Sequence, residues 1–257
     1  MVNMFNCQAR ARIAKIFMST ACDDKNQSRR HIGKLFNDIA PTYDRLNHLL
    51  SLNIDTYWRK KMTDLLPRGE SFWILDVATG TADVGLTIDS QRNRCDSIVG
   101  VDIAENMLRL AREKIAQKPR RSSISLVGGS ATELPFANAS FDIATLSFGL
   151  RNFSDVAGGL REINRILKPG GNLIVLEFSL PQNRVVRTMY LFYFRRILPL
   201  LGGAISGCPY AYSYLNKTAE AFPYGRRLVD IFAPCGYSVS SYTPLSLGIA
   251  TLYVATK

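Results

Sequence analysis

Between Phe72 and Phe178 the chain alternates short apolar, β-branched runs with stretches of helical periodicity, and this alternation restricts the fold more than any other feature. Phe72–Val77, Ser97–Val101, Ser123–Val127, Phe141–Leu146 and Asn172–Phe178 have the length and composition of buried strands. Val84–Ser90, Glu105–Gln117 and Val156–Leu167 repeat apolar residues at helical spacing; in the second, Met107, Leu108, Leu110, Ala111 and Ile115 gather on one side. Lys168-Pro169-Gly170-Gly171 stops the third, because proline cannot continue a helix and glycine accepts a left-handed cap. Strands separated by helices predict an α/β fold, a doubly wound and mostly parallel sheet with right-handed crossovers. Tyr237–Tyr242 and Ile249–Thr256 read as a following hairpin, so the last strand runs against the others.

No linker divides the 257 residues, and the length suits one core with appended ends. The expected division is a basic extension over 1–30 and one domain over 31–257. That domain carries a helical cover at 31–66 and an apolar, arginine-flanked insertion at 184–215. The net charge of +11 is uneven: residues 1–34 hold seven Lys/Arg against two acids, 184–257 hold eight against two, and the middle is balanced at seventeen each. The first 22 residues contain Arg10, Arg12 and Lys15, no acid and no secretory apolar core, which leaves a transit peptide or a start upstream of the natural Met18. Five scattered cysteines, Cys7, Cys22, Cys95, Cys208 and Cys235, form no C-x-x-C and fit a reducing cytoplasm. Two histidines without an acid cluster predict no metal.

In residues 184–201, RVVRTMYLFYFRRILPLL, arginines at 184, 187, 195 and 196 bracket apolar and aromatic residues, a pattern suited to a membrane surface with anionic head groups. At helical spacing Val186, Met189, Tyr190, Tyr193 and Ile197 make a core stripe instead. No apolar run reaches the roughly 18 residues of a spanning helix. The expectation is a cytoplasmic protein, peripheral on the inner membrane face, whose apolar cover offers a surface for a homodimer.

The turn Leu75-Asp76-Val77-Ala78-Thr79-Gly80-Thr81-Ala82-Asp83-Val84-Gly85 joins the first strand to the first helix. Such a turn holds a pyrophosphate when it reads G-x-G-x-x-G. Here Ala82 replaces the second glycine and Asp83 would repel phosphate, so the loop suits a ligand without one. Asp76 could attract a cationic group, and Asp102, ending the second strand, could accept two ribose hydroxyls. A nucleoside carrying an amino acid and no phosphate is S-adenosylmethionine. The plainer reading makes both acids helix caps. Full dinucleotide glycines are missing, as are Asn-Pro-Pro-Tyr and a placed Pro-Cys nucleophile, which argues against a nicotinamide oxidoreductase and a nucleic-acid methyltransferase.

From residue 31 to 257 the sequence resembles the UbiE/MenG/COQ5 family of quinone C-methyltransferases. The resemblance rests on FNDIAPTYDRLNHLLSLNIDTYWRKKM (36–62), LDVATGTADV, GSATELPF (129–136), LSFGLRNFSD (146–155) and LREINRILKPGG (160–171). It implies the class I S-adenosylmethionine-dependent methyltransferase fold, with Gly80 and Thr81 along the methionine, Asp102 on the ribose, Ser130 and Ala131 beside the adenine, and Ser147 closing the site. Ala82 departs from a common glycine, and Ser130 from a common Asp or Asn.

The implied substrate is a polyprenylated quinol, with demethylmenaquinol favoured over the benzoquinol precursor of ubiquinone. A ring carbon attacks the sulfonium methyl only when the ring is electron-rich, so the reduced, deprotonated quinol reacts. Arg151 is the candidate to stabilise a phenolate or polarise a water; a surface ion pair is its plainer role. Tyr43 and His48 are candidates for hydrogen bonding or proton transfer, and equally for structural roles.

Overall fold

The computed structural model describes residues 27, 30–67, 71–91, 97–118, 123–206 and 209–257. Most of the basic extension, the region around Met18, and Cys7, Cys22, Cys95 and Cys208 lie outside them.

Seven strands form one sheet: β1 (Trp73–Val77), β2 (Ser97–Asp102), β3 (Ser123–Gly128), β4 (Phe141–Ser147), β5 (Leu167–Phe178), β6 (Ser238–Leu245) and β7 (Ala250–Thr256). Their order is β3-β2-β1-β4-β5-β7-β6; the first five run parallel, and β7 is antiparallel to both β5 and β6. Helices α3 (Asp83–Ser90), α4 (Glu105–Ala116) and α5 (Val156–Ile166) are crossovers, with α9 (Arg226–Phe232) before the final hairpin. Because both faces are covered, the strands are apolar on both sides. Leu75, Val77, Val99 and Val101 pack with α5 and α9, whereas Ile74, Ile98, Ile143 and Ile174 pack with α2 (Ile54–Thr63), α3 and α4.

The end of α5 differs from the expected cap. The helix is already left at extended Leu167, and the left-handed Gly170 (φ +76°) belongs to the irregular start of β5. Proline fixes where the helix must stop, but the chain leaves it earlier.

A cover lies over the carboxyl ends of the strands. It comprises α1 (30–50), α2, α6 (Arg184–Phe192), a π-helical turn (Tyr193–Ile197), α7 (Leu198–Ser206) and α8 (Pro209–Ala221). Leu35, Ile39, Leu46 and Leu50 of α1 pack with Phe194, Leu198 and Ala219, and reach Ala104 and Met107 of the sheet domain. Pro41 sits inside α1 and has no N–H, so the carbonyl of Asn37 is free of its helical partner. Asn106 Nδ2 donates to that carbonyl at 3.2 Å, while Asn106 N donates to Asn37 Oδ1 at 2.8 Å. The cover helix thereby satisfies an otherwise orphaned N–H in the first turn of α4.

The apolar stripe expected in residues 186–197 is only partly internal. Tyr190 and Tyr193 pack inward, but Met189 is 68% exposed and Ile197 is exposed, and Phe194 and Leu198 take the buried positions. The π turn widens the helix by one residue and so rotates the later positions relative to an α-helical count.

Candidate active site

Register sets the site. Val77 pairs with both Val101 and Leu146, so the loops after β1, β2 and β4 leave the sheet at one level, where strand order reverses. Ala78, Gly80, Ala82 and Phe148 all have positive φ, three of them near +55°. Only glycine adopts that conformation without cost, and such strain collects where a loop is shaped for a ligand. Gly149 lacks a Cβ because one would lie 2.8 Å from that of Ala78, which lets the two loops touch.

These loops and α1 enclose a first cavity. Gly80, Asp102, Ser130, Ala131 and Ser147 line it, with Ile103, Met107, Phe36 and Tyr43. Asp102 Oδ2 accepts from Gly80 N and Oδ1 from Ala104 N, each at 2.8 Å, so the acid holds backbone while forming part of the wall. Burial pushes its pKa up, opposed by those N–H groups. Ser130 Oγ lies 2.9 Å from Thr132 Oγ1. Ser147 Oγ and Ser154 Oγ are buried without a partner among the described residues. Among the described residues of this lining Asp102 is the sole charged one, so a phosphate would meet no cation among them and a sulfonium would meet an anion. Apolar walls for a base, a carboxylate for ribose hydroxyls and two unpartnered hydroxyls fit S-adenosylmethionine. When bound, the cofactor supplies an electrophilic methyl group.

Two residues expected against the cofactor are placed elsewhere. Asp76 is buried and absent from the lining; its carboxylate accepts from Thr79 Oγ1 at 2.6 Å and Thr145 Oγ1 at 2.7 Å. Gly100, its neighbour on β2, leaves the space that Thr79 fills. Thr81 Oγ1 donates to Asp44 Oδ1 at 2.6 Å and accepts from Lys114 Nζ at 3.1 Å, so it ties α1 to the loop instead of lining the cavity. Asp83 is matched by Lys114 and by Arg59 at 3.6 Å, so its charge is spent inside the protein.

A second cavity adjoins the first across Phe36, Tyr43, Phe148 and Asn152. Its walls include Trp58, Phe178 and Tyr214, with Phe148 and Phe178 centroids 4.5 Å apart. Arg151 enters it from a 3-10 turn after β4, its side chain 6% exposed. Its Nη1 donates to Phe148 O and to Glu177 Oε1, each at 2.6 Å, and the guanidinium carbon lies 5.0 Å from the Phe178 ring centroid. Arg151 Nε is buried without a partner among the described residues. Arg151 is therefore a buried pair with Glu177, not a surface one. Tyr43 lines both cavities, and burial pushes its hydroxyl pKa up, so it stays a donor at neutral pH. His48 lines neither cavity; its Nδ1 lies 2.8 Å from Asp55 Oδ2.

Sequence reasoning passed over Glu177, Asp55, Arg59 and Asn152. A lone acid near the end of the apolar strand LIVLEF is the signal that could have exposed Glu177. Asp55 and Arg59, four residues apart on α2, form a buried pair that the pattern of the helix did not single out.

An antiparallel pair closing a doubly wound sheet, with a cation-free, acid-walled cavity at its switch point, defines a class I S-adenosylmethionine-dependent methyltransferase. A solved SAM-dependent methyltransferase of Thermotoga maritima superimposes with a TM-score of 0.61 at 20% identity, covering 88% of this chain and 100% of that one. One from Aquifex aeolicus gives 0.53 at 14% identity, covering 77% and 88%. The chain belongs to the ubiE/COQ5 methyltransferase family, whose profile it matches over residues 22–257. A Bacteroides fragilis relative named demethylmenaquinone methyltransferase is 39% identical, with 88% of this chain and 92% of that protein covered. A Geotalea uraniireducens relative named ubiquinone/menaquinone biosynthesis C-methyltransferase UbiE is 42% identical, covering 88% and 96%.

The burial of Asp76 has a measurable cost. Desolvation raises its pKa to about 6 despite the two threonine bonds. A carboxyl raised above its unfolded value favours folding below about pH 4 and loses that contribution as pH rises through about 6, by up to ~3 kcal/mol. Asp76→Asn removes the titration and keeps a group that can meet both threonine hydroxyls. Urea unfolding at pH 4.5 and 7.5 is expected to show the stability difference between the proteins moving toward the variant at the higher pH; a pH-independent difference would contradict the assignment.

Proposed function

We propose that this enzyme transfers the methyl group of S-adenosylmethionine to a ring carbon of a polyprenylated quinol, demethylmenaquinol, giving menaquinol. Arg151 carries the reading. A cationic side chain with one unpartnered N–H, set among aromatic walls beside the cofactor cavity, suits an aromatic ring bearing an oxyanion. The names of the relatives point to the same substrate class. The ring lies in the second cavity against Phe148 and Phe178, its oxygen accepting from Arg151 Nε, with the Tyr43 hydroxyl as a further donor. Charge fed from that oxygen to the adjacent carbon makes the carbon nucleophilic. The oxidised quinone has no such charge.

The polyprenyl tail leaves along the cover. Val185, Met189, Phe192 and Leu200 are exposed on α6 and α7, beside exposed Arg184, Arg187 and Arg196. Leu49 and Leu52 are exposed at the α1–α2 turn, which Tyr193 joins to this face by donating to Leu50 O at 2.7 Å. Among the described residues no helix is long and apolar enough to cross a membrane. This face therefore rests on the bilayer surface, its arginines meeting anionic head groups.

Methyl transfer from labelled S-adenosylmethionine to chemically reduced demethylmenaquinone tests the reaction. Label is expected in the reduced naphthoquinol and not in the oxidised form; label only in the demethylated benzoquinol would replace the substrate, and none in either, with cofactor bound, would overturn the reading. Met189→Ser with Phe192→Ser is expected to weaken binding to anionic vesicles by roughly 30-fold or more, since each side chain buries apolar area worth over ~1 kcal/mol. Unchanged sedimentation with vesicles would show that the tail leaves by another face.

A further inference from the structure

Methylation of a ring carbon leaves that carbon holding both the new methyl group and its original hydrogen, so a proton must depart before the ring regains aromaticity. The second cavity is aromatic and closed over by α1 and α2, and Asp55 is the one carboxylate in its described lining. Tyr43, kept protonated by burial, and the cationic Arg59 and Arg151 are poor acceptors.

Ser51 also lines this cavity, and its hydroxyl donates to Asp55 Oδ1 at 2.6 Å. On the other oxygen, Asp55 Oδ2 meets His48 Nδ1 at 2.8 Å and Arg59 Nη1 at 2.5 Å. The Asp55 side chain is 5% exposed and that of His48 is 33% exposed. A continuous hydrogen-bonded path thus runs from cavity to solvent. Burial pushes the Asp55 carboxyl up, but Ser51, Arg59 and His48 together hold it below its ordinary value, so it passes a proton on in preference to keeping it. The remaining charges around the path are Asp83 of α3, which faces Arg59 and Lys114, and Asp44 of α1, which faces Lys114.

We propose that Ser51, Asp55 and His48 form the exit for the proton released from the methylated ring carbon. This rests on the ring occupying the second cavity as proposed above. The carbon–hydrogen bond breaks and its electron pair returns to the ring. The proton goes to Ser51 Oγ as the serine proton moves to Asp55 Oδ1. His48, whose Nδ1–H donates to the resting carboxylate, moves that proton to Nε2 by exchange with solvent; the carboxyl then turns and hands its proton to the freed Nδ1, and the Nε2 proton leaves to water, which restores the starting tautomer. No oxidant or further reactant is required. Ser51 touches the substrate, while Asp55 and His48 act through it.

The experiment compares wild type, His48→Gln and His48→Ala on chemically reduced demethylmenaquinone carrying hydrogen or deuterium at the carbon to be methylated. Gln can still donate to Asp55 but cannot carry a proton, which separates relay from structure. Both variants are expected to lose on the order of 100-fold in kcat, the lower range for positioned proton transfer, with little change in KM for S-adenosylmethionine. They are expected to gain a primary deuterium effect that wild type lacks, and added imidazole should restore turnover in His48→Ala. Product formation by wild type with His48→Gln turning over at the same rate, or slow variants without a deuterium effect or imidazole rescue, would overturn the relay. Absence of product from wild type would instead overturn the substrate reading.

Discussion

A guanidinium buried among aromatic rings is costly unless its charge is met, and the site is arranged around the contact that meets it. Glu177 closes that account for Arg151, and the sheet explains why the two are together. Ser147 pairs with Leu176, so the turn that follows β4 passes over the end of β5, where Glu177 stands. Glu177 Oε1 also accepts from Phe178 N at 2.9 Å, which fixes the carboxylate to its own strand. Removing either partner would strand a buried charge, an effect that typically costs 3–5 kcal/mol. With Nη1 engaged by Glu177 and Phe148 O, the guanidinium cannot turn freely, and Nε is left for a ligand.

The two cavities divide the work by charge. The first has an acid and no cation in its described lining, and the second has Arg151 and Arg59 balanced by Asp55 and by Glu177 behind the wall. Phe148 stands at the boundary, held in a left-handed turn with its ring against Phe178 and Trp58. A sulfonium methyl on one side and an electron-rich ring on the other would meet across that boundary. Under the proposed function, the charge developed on the ring would be met by the fixed donors of the second cavity.

Much of the sheet was legible because strand and helix periods differ and because glycine and proline mark the turns. Asp102 was readable as a residue ending a strand, since the ends of parallel strands meet on one rim, whereas Ser147 entered only through the family resemblance. Asp76 stands one residue before the end of β1 and points to the face where Thr79 and Thr145 fill the space, which depends on Gly100 in the neighbouring strand. Thr81 is claimed by Asp44 and Lys114, seventy residues apart and adjacent only once α1 has folded over α4. The Arg151–Glu177 and His48–Asp55 contacts depend on sheet order and on the α1–α2 turn, neither of which a linear pattern displays. The π turn likewise hid which side of residues 186–198 faces outward.

The central claim is that Arg151 meets a developing oxyanion. Its most direct test is the affinity of a series of naphthols of graded acidity for the enzyme saturated with S-adenosylhomocysteine, measured with wild type and Arg151→Met. Affinity in wild type should rise steadily as the naphthol becomes more acidic, and the dependence should flatten in the variant. Equal slopes in the two proteins would show that the oxyanion is stabilised by some other group.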